Sequence, residues 1–477
     1  MSIFRWFSIT VAVVALMGLT VYGGLEGDTA RGARTAAPAT EGVAGAAQNP
    51  SATALEDALL LLGGDASQRQ GALARLASHW HVHLVPMVLE VTYLTGDAAT
   101  RAAAIDLLQR QTGQSFGFDL DAWYQWLWRQ DYPPHPRYAE FKAVLYGLID
   151  ERFRGYFSPT RPARIRLDEV RWGGVRQDGI PPLRNPAMVK ATEADYLQDH
   201  HIVFGIAVSG DVRAYPKRIL AWHEMFTDTV GGVPVAGLYC TLCGTVILYD
   251  TVLHGTPHQL GTSGFLYRSN KLMYDRATQS LWNTLWGEPV IGPLADSGIA
   301  LERRAVVTTT WGEWRRRHPD TLVLSLATGH RRDYSEGAAY RDYFATDELM
   351  FTVPFLDRRL ANKAEVLGLV FPREDAEPLA IASAHLQTLP VYRDRLGDIE
   401  FTVLTDRSGA HRVYHTGKVR LVTFDGDVTA TAADGSRWTL DEATLTAADG
   451  RTLARLPSQR AFWFGWLSAY PRTRLVH

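Results

Sequence analysis

Between Phe7 and Leu25 the chain runs about 19 residues without a charge, behind a single Arg5. As a helix this run reaches about 28 Å, close to the hydrocarbon thickness of a bilayer. It lacks the polar face that a helix on the surface of a folded domain needs. It is also longer than the usual apolar core of a cleaved signal, and no clear A-x-A site follows it. The run therefore reads as a signal anchor over residues 1–25, with a removed signal peptide as the alternative. Either reading places the rest of the chain outside the cytoplasm, in the cell envelope, with the membrane as a partner through the N-terminal helix. Residues 26–53 follow, rich in Ala, Gly, Thr and Pro and without apolar periodicity, the composition of a tether.

The remaining length suffices for more than one hydrophobic core. A formal net charge of −2 and a pI near 6.7 leave no electrostatic footprint for nucleic acid. The short Arg315–Arg316–Arg317 cluster reads as a solvated helix face. Over 54–157 the pattern is helical: Leu55, Leu59 and Leu62 share one face, and Leu73, Leu76 and Trp80 another. Asp65 and Asp97 each follow a glycine and stand where a helix would begin. The two stretches they open are about 32 residues apart, a period that fits a short HEAT-like array able to recruit a protein partner. Trp123, Trp126 and Trp128 have the spacing of a packed helix face, with sugar or lipid headgroups as the other reading.

From residue 158 onward the grammar is that of strands. Ile202–Val208, Val233–Leu238, Thr245–Tyr249, Leu322–Leu326 and Val366–Val370 are β-branched or aromatic runs between turn residues. Pro216–Thr227 and Thr310–His318 read as helices. Turn dipeptides at 426, 434 and 449 predict a closing β-meander. The expected fold class is α+β: a signal anchor, a short helical-repeat segment, then a mainly antiparallel β domain with a few helices.

Three stretches carry a family resemblance. They are Arg213-Ala-Tyr-Pro-Lys-Arg-Ile-Leu-Ala-Trp-His-Glu224, Asp228-Thr-Val-Gly-Gly-Val-Pro-Val235, and Tyr239-Cys-Thr-Leu-Cys-Gly244. Further matching segments are Ser263–Tyr267, Met273–Arg276, Ser280–Trp282, Thr309–Trp311, His318–Thr321, Thr328 to Tyr334, Arg460–Trp466 and Tyr470–Pro471. The chain resembles the exported prokaryotic family of domain of unknown function 3179 over roughly residues 150–477. The resemblance implies an exported location and the centrality of His223, Cys240 and Cys243. It implies no reaction.

Cys240 and Cys243 are the only cysteines. A CxxC ending in Gly244 makes a knuckle whose two thiolates can face one ion, half of a tetrahedral site. His223 is the candidate third ligand, brought back by the turn Asp228–Gly232; a core histidine bonded to a carbonyl is the plain alternative. Met273, His258, His201 and Met225 are fourth-ligand candidates, and Glu224 and Arg213 are candidates to support the site. Sulfur with imidazole suits copper or zinc, so binding or delivery of such an ion is the favoured function. A thiol-redox or metal-assisted enzyme using the same cluster, and a non-catalytic scaffold, are the other readings. Against the redox reading, the residues after Cys243 form a strand rather than the helix that activates a thioredoxin-type thiol. No H-x-E spacing supports a zinc deaminase, and no G-x-S-x-G elbow supports a serine hydrolase; Ser263 reads as a turn residue.

Overall fold

The computed structural model describes residues 50–371 and 376–477. The signal-anchor run and most of the tether lie outside the described residues. Among the described residues no helix is long and apolar enough to cross a membrane. The fold is α+β, with mainly antiparallel sheets and a few helices in the β part. It divides into two compact units between Arg161 and Pro162.

The first unit is helical: α1 Pro50–Gly63, α2 Ala66–Ser78, α3 Val85–Leu94, α4 Ala98–Thr112, α5 Leu120–Trp128 and α6 Tyr138–Gly147. Asp65 caps α2 by accepting from the Gln68 amide, and the Gln68 side chain returns the bond, a complete capping box. Asp97 caps α4 through the Thr100 amide. Val88 and Leu89 of α3 pack with Ala104 and Leu108 of α4 and with Trp123 and Leu127 of α5. Trp123 meets Phe116 and Trp126 edge-on, with centroids 5.1 and 5.9 Å apart, so its ring is core.

The second unit is built twice on one plan. Its first half contains β1 Ile202–Val208, β2 Asp211–Pro216, α7 Lys217–His223, β3 Met225–Val230, β4 Val233–Cys240, β5 Thr245–Asp250, β6 Val307–Thr310, α8 Trp311–Arg317 and β7 Leu322–Leu324. The second half repeats this order as β8 Glu365–Leu369, β9 Leu379–Ala382, α9 Ser383–Gln387, β10 Val391–Leu396, β11 Ile399–Thr405, β12 His411–His415, β13 Gln459–Phe462, α10 Trp463–Ala469 and β14 Arg474–Val476. One layer contains β6-β1-β2-β7, extended by the strand Met188–Lys190 antiparallel to β7, and the other is β13-β8-β9-β14; β2 pairs parallel with β7 as β9 does with β14.

Register makes the match residue by residue. Gly205 faces Ala214 in one layer, and Gly368 faces Ala380 in the other. A Cβ on Gly205 would lie 2.3 Å from the Trp314 ring, and one on Gly368 would lie 2.2 Å from the Trp466 ring. Glycine at each place admits an indole, and each indole N–H donates to a threonine: Trp314 to Thr321 at 3.1 Å and Trp466 to Thr473 at 3.0 Å. Those hydroxyls in turn reach the carbonyls of Val212 and Pro378.

The halves also exchange contacts. Phe462 N, in the second half, donates to Cys243 O of the first at 2.8 Å. Thr309 Oγ1, in the first half, bonds Ser408 Oγ of the second at 2.9 Å. The meander continues from β12, with strands Leu421–Phe424, Thr429–Ala432, Arg437–Leu440, Thr444–Ala447 and Thr452–Leu456 around Trp438.

Candidate functional site

The expected helix over Pro216–Thr227 stops at His223, because Glu224 takes left-handed backbone at φ 55° and Met225–Val230 is strand β3. Such a conformation in a non-glycine residue costs on the order of 1 kcal/mol or more and persists only where its surroundings impose it. The change of hand sends two neighbouring side chains to different partners.

His223 is fully buried. Its Nδ1 lies 2.9 Å from Pro181 O, which can only accept, so Nδ1 carries the proton. Burial lowers its pKa, and His330 and Arg332 push the same way, against the Pro181 bond. The neutral ring therefore accepts at Nε2, where the Tyr334 hydroxyl donates at 2.6 Å. With that proton committed, Thr328 Oγ1, 2.6 Å from the Tyr334 oxygen, is the donor of the next bond.

Glu224 faces the cysteines. Its Oε1 accepts from Thr241 Oγ1 at 2.6 Å and from the Tyr340 hydroxyl at 3.1 Å. Its Oε2 pairs with Lys271 Nζ at 2.8 Å, and both side chains are 7% exposed. Burial holds the Lys271 ammonium below its ordinary pKa, while Glu224 opposes that shift. Lys271 comes from the strand Asn270–Asp275.

Thr241 sits between Cys240 and Cys243, which are joined in a disulfide. Both are buried, with Leu266, Tyr343, Val353, Phe462 and Phe464 packed around them. Tyr343 donates to Leu242 O at 2.7 Å. Gly244 provides φ 60° for the turn, and Gly465 is needed because a Cβ there would come within 2.5 Å of Cys243 Cβ.

The second half is an internal control. Val230 and Val233 face across the β3–β4 turn as Leu396 and Ile399 do across β10–β11. Counting back from these pairs, His223 and Glu224 correspond to Leu389 and Pro390. The backbone agrees: Tyr239 N donates to Glu224 O at 3.0 Å, and Thr405 N donates to Pro390 O at 3.0 Å. Cys240 corresponds to Asp406, whose Oδ1 accepts from Ser408 Oγ at 2.6 Å and whose Oδ2 accepts from Arg412 at 2.7 Å. The shared plan thus folds without the imidazole, the carboxylate or the disulfide.

The three-ligand metal reading does not fit this arrangement. The cysteine sulfurs are bonded to each other, and both nitrogens of His223 are engaged by Pro181 and Tyr334. Met273 packs in the core with Leu238 and Trp282, and Met225 joins that core. His258 is held by Asp275 at 2.9 Å, and His201 accepts from Gln198 N at 3.0 Å. Arg213 is locked between Asp211 and Asp228. Ser263 is buried and donates to Leu272 O at 2.6 Å, a structural bond. Among the described residues no group of three His, Cys, Asp or Glu is placed to hold an ion. Of the supporting candidates, Glu224 alone is bonded to the cysteine turn. Lys271, Tyr340 and Thr241 escaped the sequence reading, since each looks like an ordinary strand, loop or turn residue.

A family model for "Protein of unknown function (DUF3179)" matches residues 177–473. The chain belongs to the DUF3179 family. No curated protein and no solved structure matches it. The family match begins beyond the helical unit, so it assigns that unit neither to HEAT repeats nor to anything else.

Proposed function

We propose that this DUF3179 protein is an exported, membrane-anchored thiol–disulfide redox protein whose working couple is Cys240–Cys243. The reading rests above all on Glu224, which pairs with buried Lys271, accepts from Thr241 inside the Cys-x-x-Cys turn, and is replaced by Pro390 at the matched place in the second half. A disulfide is reduced when a thiolate attacks one sulfur and the other departs as a thiolate, whose charge a nearby cation or proton donor stabilises. The Lys271–Glu224 pair carries one transferable proton, on Lys271, and Glu224 ties the pair to the turn that bears the two sulfurs. The uncharged run Phe7–Leu25 supports export, into a compartment where disulfides persist.

Burial of both sulfurs favours slow, gated exchange over rapid turnover, because Tyr343 and Phe462 must move before a partner thiol reaches them. Since Cys243 O holds Phe462 N, opening the turn also loosens a contact between the halves. The test is alkylation of the natively folded protein across a series of thiol–disulfide buffers, read by mass. The expected result is that both cysteines titrate together as one two-electron couple. Cysteines already reduced in the exported protein, or a disulfide that yields only on unfolding, would overturn the proposal.

A further inference from the structure

The redox reading employs Glu224 and leaves its neighbour His223 without a task. His223 ends in a directed chain: Thr328 hydroxyl to Tyr334 hydroxyl at 2.6 Å, Tyr334 to His223 Nε2 at 2.6 Å, and His223 Nδ1–H to Pro181 O at 2.9 Å. A hydroxyl bonded to a neutral imidazole, itself oriented by a third group, is the arrangement of an activated nucleophile. A merely structural histidine is a poor account of it, because Leu389 fills the matched place in the second half. The loop is also pinned on both sides of the phenol: Trp222 Nε1 donates to Asp333 O at 2.7 Å, and Arg218 donates to Tyr334 O.

The surroundings are cationic. His330, Arg331 and Arg332 are exposed on the same short loop, with the His330 ring 5.1 Å from that of His223. Arg332 lies 5.8 Å above the Trp222 ring, and among the described residues neither Arg331 nor Arg332 has a carboxylate partner. Guanidinium groups free of carboxylates beside a nucleophile suit a phosphate centre, where charge builds on the non-bridging oxygens.

We propose that Tyr334, with His223 as its base, is the nucleophile of a phosphodiester-cleaving site distinct from the cysteine couple. The Tyr334 oxygen forms a bond to phosphorus as the bond to the leaving alcohol breaks. The phenol proton passes to His223 Nε2, and the leaving oxygen, on the opposite face of phosphorus, departs as its anion and takes a proton from solvent. Water then attacks phosphorus from that open face and releases a proton to solvent, the tyrosyl–phosphorus bond breaks, and His223 returns its proton to the Tyr334 oxygen. The sum is diester plus water giving monoester plus alcohol.

The probe is bis(p-nitrophenyl) phosphate with the full chain. Nitrophenolate release is expected from the wild type, with a loss of at least about 100-fold in Tyr334→Phe, which keeps the ring. The same loss is expected in His223→Gln, whose amide can keep both hydrogen bonds but cannot take the proton. Independently of how the variants fold, acid-quenched wild-type protein should carry the nitrophenyl phosphoryl group on Tyr334. No release by the wild type, full release by a folded Tyr334→Phe, or an adduct on another residue would overturn the proposal. Cleavage of p-nitrophenyl acetate with none of the diester would overturn the phosphate assignment.

Discussion

Glu224 meets two demands at once. Its backbone must turn left-handed to end α7 and start β3, and its carboxylate must bridge Thr241, Tyr340 and Lys271. Removing one partner of a buried ion pair strands the other charge, at a cost of about 3–5 kcal/mol. Lys271→Met alone should therefore lower thermal stability far more than the double variant Glu224→Gln/Lys271→Met, as compared by calorimetry. His411 gives a separate prediction at this scale. It is buried, and burial takes its pKa down to about 3. Between that value and the ordinary histidine pKa near 6.5, the unfolded state binds the extra proton, so stability falls as pH falls through this window. At pH 5 the loss from this group is about 2 kcal/mol. Denaturant titrations should show that His411→Asn, compared with wild type, flattens the stability profile between about pH 6.5 and 4.

At the scale of elements, the strands were legible where β-branched runs meet turn residues: Ile202–Val208 emerges with the expected bounds. Capping was legible too, since Asp65 and Asp97 announce their helices by residue type alone. The end of α7 was not, because Met225-Phe-Thr-Asp-Thr-Val230 continues an apolar pattern and only the backbone hand of Glu224 breaks it. The two-fold plan was hidden for a different reason. Its shared sequence is thin: Trp311 and Trp314, then Pro319 and Thr321, against Trp463 and Trp466, then Pro471 and Thr473. That W-x-x-W-x4-P-x-T spacing is the signal that could have revealed it. The site was legible only in its anchor residues, because Lys271, Tyr334 and Tyr340 reach it through tertiary contacts. If the halves are structural equivalents, Gly205→Ala and Gly368→Ala should destabilise by similar amounts, each about 1–3 kcal/mol, since each Cβ meets an indole at nearly the same distance. A large cost at one and none at the other, measured by chemical denaturation, would break the equivalence.

Across the second unit, the exchanged contacts tie each half to the other. Phe462 N closes on Cys243 O, and Thr309 on Ser408, so neither half keeps its turn in place alone. Such a body should open as one cooperative unit. In native-state hydrogen exchange, the amides of β1 and β2 should reach the same limiting free energy as those of β8 and β9. Halves that open independently would contradict the exchanged design.

Reduction kinetics test most directly whether the Glu224–Lys271 pair serves the disulfide. The rate at which dithiothreitol reduces Cys240–Cys243 in the native state should be compared between the wild type and Glu224→Gln/Lys271→Met, the variant expected to keep its fold. Reduction at least about 100-fold slower is expected in the variant, the low end of what a positioned proton donor contributes. Equal rates in two equally stable proteins would contradict it.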